Sequence, residues 1–223
     1  VTIYSDMKDI SAASLNLYHL GSGGFRLRRT ENTFASYDIA AHSGLYIAEG
    51  KHKPRDGRQK VGKAKADNMA FTGRLKYTAI PGLEVAASLQ YQADVRQGEG
   101  AAIDGTLFET HVAWQRDDFQ LRALYAQWDF DNVINATMDG ASEQTGLYIE
   151  PSYRLNEKLG LFARYSQWDN SAASATDSEI TQIDLGLNYW LHPNVVFKLD
   201  YQNQDAPGEK GYDGINMGVG YSF

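Results

Sequence analysis

The sequence predicts an all-β protein, an antiparallel transmembrane β-barrel, on three observations. Apolar residues recur at every second position from about Tyr37 to the end of the chain. The alternating segments run to roughly 9–13 residues, where an ordinary strand has about 5–6 and a tilted membrane strand needs about 9–11. Short turns alternate with long polar loops, the layout of a barrel whose hairpins close on one side of a bilayer and spread on the other.

The pattern is cleanest in the C-terminal half. Ile215, Met217, Val219, Tyr221 and Phe223 fall on one face of the last segment, and Gly214, Asn216, Gly218, Gly220 and Ser222 on the other. Upstream, Val195, Phe197, Leu199 and Tyr201 share a face, as do Ile183, Leu185, Leu187 and Tyr189. So do Leu159, Leu161, Ala163 and Tyr165, and Leu147, Ile149, Pro151, Tyr153 and Leu155. Phe119–Tyr125, Phe108–Trp114, Leu83–Tyr91, Phe71–Tyr77 and Tyr37–Ser43 continue the alternation with more noise. Ala13–His19 and Phe25–Arg29 read as two further strands joined by Gly21-Ser22-Gly23-Gly24, which brings the expected number to about twelve in a single domain, residues 1–223. Ile80-Pro81-Gly82, Arg116-Asp117-Asp118, Asn156-Glu157 and His192-Pro193-Asn194 read as tight turns. Asp94–Gly105, Asp129–Ser142, Asp169–Ser178, Gln204–Asp213 and above all Glu49–Asn68 read as loops.

Composition agrees and excludes several classes. There is no cysteine, hence no disulfide framework and no thiolate chemistry. The net charge of −7 is wrong for a nucleic-acid binder. Mean hydropathy is −0.46 and no apolar run reaches the length of a membrane helix. A barrel needs none, because only alternate residues of its strands meet lipid. The 14 Tyr and 5 Pro suit long strands with interfacial rings. The chain opens without a charged-then-apolar leader, so a mature or truncated protein is expected.

The face opposite the apolar one carries Arg74, Lys76, Glu84, Glu109, Arg122, Glu150, Arg154, Arg164, Asp184, Lys198 and Asp200. Charges survive there if that face lines a water-filled lumen. Lys or Arg facing lipid at the midplane would cost about 2–4 kcal/mol each. Tyr91, Tyr125, Tyr153, Tyr165, Tyr189, Tyr201 and Tyr221 fall near the ends of the apolar faces, where a ring with a polar tip anchors at the headgroups. The stretch Lys51–Lys65 holds seven basic residues and one acid in an acidic protein. Lys51, Lys53, Arg55 and Arg58 are the candidates for attracting anions to a pore mouth, or else they cover a solvated loop facing lipopolysaccharide.

Two other classes compete. In a soluble carrier barrel, Trp114, Trp128, Trp168 and Trp190 line an apolar pocket; in a membrane barrel they anchor at the interface or narrow the lumen. A lipid hydrolase needs a Ser within reach of a His, and His42 with Ser43 or His111 are the candidates. Strand neighbours point to opposite faces, so His42 and Ser43 do not pair. No enzyme activity, no cofactor and no metal are therefore expected; the five histidines lack short ligand spacings.

The ending Met217-Gly218-Val219-Gly220-Tyr221-Ser222-Phe223 resembles the C-terminal signature of bacterial outer-membrane proteins, in which Tyr221 and Phe223 would be read by the barrel-assembly machinery. Other segments resemble the phosphate-selective porin O and P family. They include Ser36–Gly44, Arg74–Tyr77 with Pro81–Glu84, Glu150–Leu155, Leu161–Tyr165, and Leu187–Trp190 with His192-Pro193. The resemblance covers about residues 35–223 and implies an outer-membrane porin of Gram-negative bacteria, a homotrimer passing small ions or solutes, with phosphate or other anions preferred. Members of that family are larger, 16-stranded barrels, so the chain reads as part of such a porin.

Overall fold

The computed structural model describes residues 2–3, 14–20, 24–30, 34–208 and 211–222. It is one antiparallel sheet of thirteen strands paired strictly in chain order. These are β1 (Thr2–Ile3), β2 (Ser14–Leu20), β3 (Gly24–Thr30), β4 (Ala35–His42), β5 (Ala70–Tyr77), β6 (Leu83–Gln92) and β7 (Gly105–Arg116). They continue with β8 (Phe119–Phe130), β9 (Glu143–Arg154), β10 (Leu159–Asp169), β11 (Ile180–His192), β12 (Val195–Asp205) and β13 (Tyr212–Tyr221). The two N-terminal strands expected from the sequence are β2 and β3; the two-residue β1 takes the number one past twelve. Among the described residues β13 pairs with β12 alone, so the closing pair of first and last strands is not formed between them. Phe223 lies outside the described residues.

From β6 onward the strands have 10 to 13 residues, the length that a tilted strand needs to cross a bilayer. Registers carry the period-2 pattern across the sheet. Leu89 faces Phe108, Tyr125 faces Leu147, Ile149 faces Tyr165, Leu185 faces Tyr201 and Leu199 faces Met217. The apolar residues of neighbouring strands thus merge into one surface, and that surface is exposed: Leu185 53%, Ile215 70%, Met217 82%. The opposite face is the enclosed one, with Asp184 at 8% and the carboxylates of Glu109 and Glu150 at 18% and 20%. A soluble barrel has the reverse arrangement. Burial of oil outside and charge inside is stable only if lipid meets the outer face and water the inner one.

Two irregularities have local causes. The β9–β10 ladder skips the residues opposite Pro151 and Glu150, because proline has no N–H to give. A bulge at Leu191 shifts register between β11 and β12 just before the Pro193-Asn194 turn. Three further short connections lie at the same edge of the sheet: Thr78–Gly82, Asp117-Asp118 and Leu155–Lys158. Gly82 takes φ +79°, and a Cβ there would lie 2.1 Å from the Gln115 carbonyl oxygen, so that turn requires glycine.

Outward tyrosines cluster toward both edges. Tyr77, Tyr153, Tyr189 and Tyr221 lie at the short-turn edge, and Tyr91, Tyr125, Tyr165 and Tyr201 toward the long loops. Trp114 is also outward, opposite Leu83 and Leu121, whereas Trp128, Trp168 and Trp190 face inward with the charged residues. Only the first is placed to anchor in lipid; the parity of the other three puts them on the inner wall.

Candidate functional site: the charged inner wall and its loop

All eleven charged residues singled out in the sequence lie on the inner face, and the registers bring seven of them into two networks. On β5–β7, Glu84 sits between Lys76 at 3.2 Å and Arg74 at 3.6 Å. The same carboxylate approaches His111 Nε2 at 3.3 Å, while His111 Nδ1 lies 2.6 Å from Glu109, which also accepts from Ser88 at 2.8 Å. On β8–β10, Glu150 is shared by Arg164 at 3.5 Å and Arg122 at 3.8 Å. Cross-strand ion pairs therefore account for Arg74, Lys76, Glu84, Arg122, Glu150 and Arg164.

The other five are held differently. Glu109 meets His111 and Ser88 as above. Asp184 accepts the Gln182 amide through both oxygens, at 2.9 and 3.0 Å, and Asp200 accepts from Asn216 at 2.8 Å. Arg154 donates to the Glu157 carbonyl and its guanidinium lies 4.5 Å from the centre of the Trp190 ring. Lys198 forms no ion pair among the described residues. Arg164 also covers the ring of Tyr148 at 3.9 Å. In the guanidinium plane, Arg164 reaches Glu150 and donates to Ser166 at 3.1 Å, while Arg154 donates to the Glu157 carbonyl.

The loop after β4, residues 43–69, does not stand away from the sheet. It lies against the inner face at the long-loop end. Gln92, the last inward residue of β6, is fully buried; it accepts the Leu45 N–H at 2.8 Å and donates to the Leu45 carbonyl at 2.9 Å. Gln97 donates to the carbonyls of Ser43, Leu45 and Asn68 at 2.9–3.0 Å. The Ile47 N–H reaches the Val95 carbonyl at 2.8 Å. Gln144 of β9, also inward, donates to the His52 carbonyl at 2.8 Å, so the loop crosses the inner wall from β4 to β9. Leu45 and Ile47 enter a buried apolar cluster with Val95, Ile103, Phe130, Ile134 and Ala141, with Trp128 packed against it. In a barrel whose strands turn their oil outward, this cluster among the loops is where apolar residues are buried inside.

Docking leaves the cations exposed. Lys51, Lys53, Arg55 and Arg58 are exposed on a loop whose backbone is fixed, with Arg58 bridged to Leu45 and Gly57 buried beneath. Burial, and after it the Lys53 ammonium, holds His52 below its usual value of 6.5. At the rim, Glu99 takes the Lys65 ammonium and the Tyr46 hydroxyl. These bonds, Lys65 first, hold Glu99 below the usual 4.5. A depressed carboxylate contributes above its unfolded pKa, and the contribution is lost as pH falls through the lower folded value. The Tyr46–Glu99–Lys65 contact is therefore in place at neutral pH and released only in acid, below the usual carboxylate range. Glu99→Gln is expected to give, at pH 7, the low backbone protection against hydrogen exchange around Tyr46 and Lys65 (observed rate relative to the intrinsic rate at the same pH) that the unsubstituted protein shows only in acid. Equal exchange in both proteins at pH 7 would remove Glu99 from the loop's anchorage.

The sequence reached the wall but not the anchors. Gln92, Gln97, Gln144 and Ile47 carry no chemical signature; only the inward parity of Gln92 and Gln144 marks them beforehand. His42 donates to or accepts from Thr72 at 3.0 Å, and its Nδ1 accepts the Gly44 N–H, so no His–Ser pair is formed there.

Inverted burial and long strands fit a membrane barrel, and the sequence comparison decides the family. Residues 5–209 match the model of the Gram-negative porin family. The chain belongs to the Gram-negative porin family. This bears out the outer-membrane porin that the sequence resembles, and it places the chain in the bacterial outer membrane. The porin is 24% identical over 218 residues to an uncharacterized protein of Aquifex aeolicus (strain VF5), covering 84% of this chain and 50% of that one. The chain thus spans about half the length of the curated relative it matches. Among solved structures, it superposes on outer-membrane expressed OmpT of Vibrio cholerae with TM-score 0.60 at 14% identity, covering 89% of this chain and 64% of that one. It matches the anion-selective porin from Comamonas acidovorans with TM-score 0.63 at 13% identity, covering 90% and 59%. The corresponding values for Salmonella typhi OmpF in complex with daunomycin are 0.63, 17%, 90% and 61%. At such identities these likenesses show the fold.

Proposed function

We propose that the porin forms a water-filled channel for passive diffusion of ions and small hydrophilic solutes, and that its loop cations favour anions, phosphate among them. The observation that supports this most is the docked loop: Lys51, Lys53, Arg55 and Arg58 are exposed on a segment bonded to inward residues of β6 and β9. Cations held at a fixed place over a low-dielectric wall focus the field on the entering solute. Arg74 and Lys76 of β5, and the stacked Arg154 and Arg164, carry positive groups further along the inner face. The wall mixes both signs, so the loop sets the preference.

Replacing Lys51, Lys53, Arg55 and Arg58 together by Gln is expected to shift the reversal potential toward cations in planar bilayers. The shift should shrink as salt rises, because the Debye length falls from about 30 Å at 0.01 M to about 3 Å at 1 M. An unchanged reversal potential in dilute salt would put the loop outside the conduction path. A passive pore needs no catalytic group. This reading also implies the partners of a pore: membrane lipid and lipopolysaccharide outside, a homotrimer built on the outer face, and the barrel-assembly machinery engaging Tyr221 and Phe223.

A further inference from the structure

We propose that the inner wall of β9–β12 holds a binding site for neutral sugars, with the ring of Phe162 as its platform. The inference rests on the pore reading above and adds a class of solute that the loop cations do not sort.

Apolar rings on a wall that faces water need a reason. Tyr148, Phe162, Trp168 and Trp190 of β9–β11 all stand on that wall. Two of them lie down across glycines of the neighbouring strand. Phe162 of β10 pairs with Gly186 of β11, where a Cβ would collide with the ring. Trp190 of β11 extends over Gly160 of β10, where a Cβ would stand 3.1 Å from it. A ring laid along the wall turns one face to the backbone and offers the other to the lumen. The Arg154 guanidinium already covers Trp190, 4.5 Å from the ring centre. Phe162 is half-buried and carries no other ring or cation over it among the described residues.

Phe162 lines a hollow of about 580 Å³, within the range of about 300–1,000 Å³ usual for small-molecule sites. No residue of the loop 43–69 lines it. Around the ring the wall is polar in both senses. Arg164 follows on β10, Asp184 and Asn188 flank Gly186 on β11, and Asp200 and Lys198 come next on β12. Four cations and four carboxylates line the hollow, so their charges cancel and neither sign of ion is preferred. The carboxylates are partly engaged: Glu150 by two arginines, Asp184 by Gln182 and Asp200 by Asn216. Each keeps lone pairs to spare. The Lys198 ammonium forms no ion pair, and Asn188 Oδ1 has no partner, among the described residues. What remains is a ring face set about with single donors and acceptors. A hydroxyl is both at one atom, and a pyranose adds a flat array of C–H groups that settles on an aromatic face. Such a solute uses the whole site. An inorganic ion uses half of it and is opposed by the rest.

The test is conductance of the whole protein in planar bilayers as maltose is added, at high salt, where the loop charges are screened. Maltose is expected to lower the current along a saturating curve. Polyethylene glycol of equal mass, which has no hydroxyl-bearing ring, should lower it only in proportion to concentration. Phe162→Ala is expected to raise the half-saturating maltose concentration on the order of fivefold by removing the platform. Phe162→Tyr, which keeps the ring, should leave it near its original value. Lys198→Met should raise it on the order of tenfold, the loss of a charge-assisted hydrogen bond. A maltose curve that does not saturate would overturn the site while leaving the pore reading intact, as would an unchanged half-saturation in Phe162→Ala. Equal block by glycine, a zwitterion without a sugar ring, would replace hydroxyl recognition by charge pairing and overturn it too. Absence of any conductance in the unsubstituted protein would instead count against the pore reading. The site is then decided without current, by titration calorimetry with maltose in a detergent that has no sugar headgroup. Binding that weakens in Phe162→Ala and not in Phe162→Tyr supports it, and no binding to the unsubstituted protein overturns it.

Discussion

Replacing Leu185 by Arg is expected to destabilise the barrel in a bilayer by about 2–4 kcal/mol, the cost of a cation facing lipid near the midplane. Leu185 lies at the centre of β11 between Ala163 and Tyr201 and is 53% exposed. In an aqueous protein, substitution at such a surface position changes stability by no more than about 0.5 kcal/mol. The two environments therefore predict different results from one change. Gly214→Arg is the matched control: Gly214 is on the inner face of β13, and a Cβ there meets nothing within 4 Å. Its cost is expected to stay within about 0.5 kcal/mol. The measurement is reversible denaturant unfolding from lipid vesicles. A loss at Leu185 no greater than at Gly214 would remove lipid from the outer face and return the fold to the soluble class.

The contrast between those two residues was legible without coordinates. Leu185 and Gly214 belong to strands whose alternation runs unbroken for many residues, and period 2 alone assigns each to a face. The same rule placed all eleven wall charges on the inner side, because a strand cannot turn one residue without turning its neighbours. It stopped where the backbone is irregular. Leu45, Ile47, Val95, Ile103 and Ile134 have no period to follow, so their convergence depends on three loops meeting in space. Gln92 and Gln144 act by bonding carbonyls of residues 47 and 92 positions away in the chain. Glu109 and His111 were legible as neighbours on one face of β7, but Glu84 and Arg74 join them only through the registers of β5–β6 and β6–β7. An offset of two residues in either ladder keeps every side chain on its face and separates those four groups. Face membership is thus a local property of this sequence, and the networks that give the wall its chemistry are properties of register.

Ile47→Asp is expected to release the loop from the wall while leaving the strands paired. Ile47 is 1% exposed within the apolar cluster, and its N–H holds the Val95 carbonyl. Removing that side chain forfeits about 1.5–3 kcal/mol of burial, and a carboxylate in its place adds a desolvation cost of its own. Together they weaken docking by at least about 3 kcal/mol, more than a hundredfold in the docking equilibrium. The strand ladders do not pass through Ile47, so the barrel has no reason to unfold with the loop. Trypsin should cut within Lys51–Lys65, which is rich in Lys and Arg, while the strands stay protected. Conductance should rise as the loop leaves the lumen, and the reversal potential should move toward cations as its charges leave with it. Ile47→Val, costing about 0.5–1.5 kcal/mol, should keep the loop docked and both channel properties near their original values. If Ile47→Asp leaves the loop resistant to trypsin, the apolar cluster does not hold it. If the loop is cut and conductance does not change, the loop does not obstruct the path of the ions, and the cations it carries act from outside the lumen.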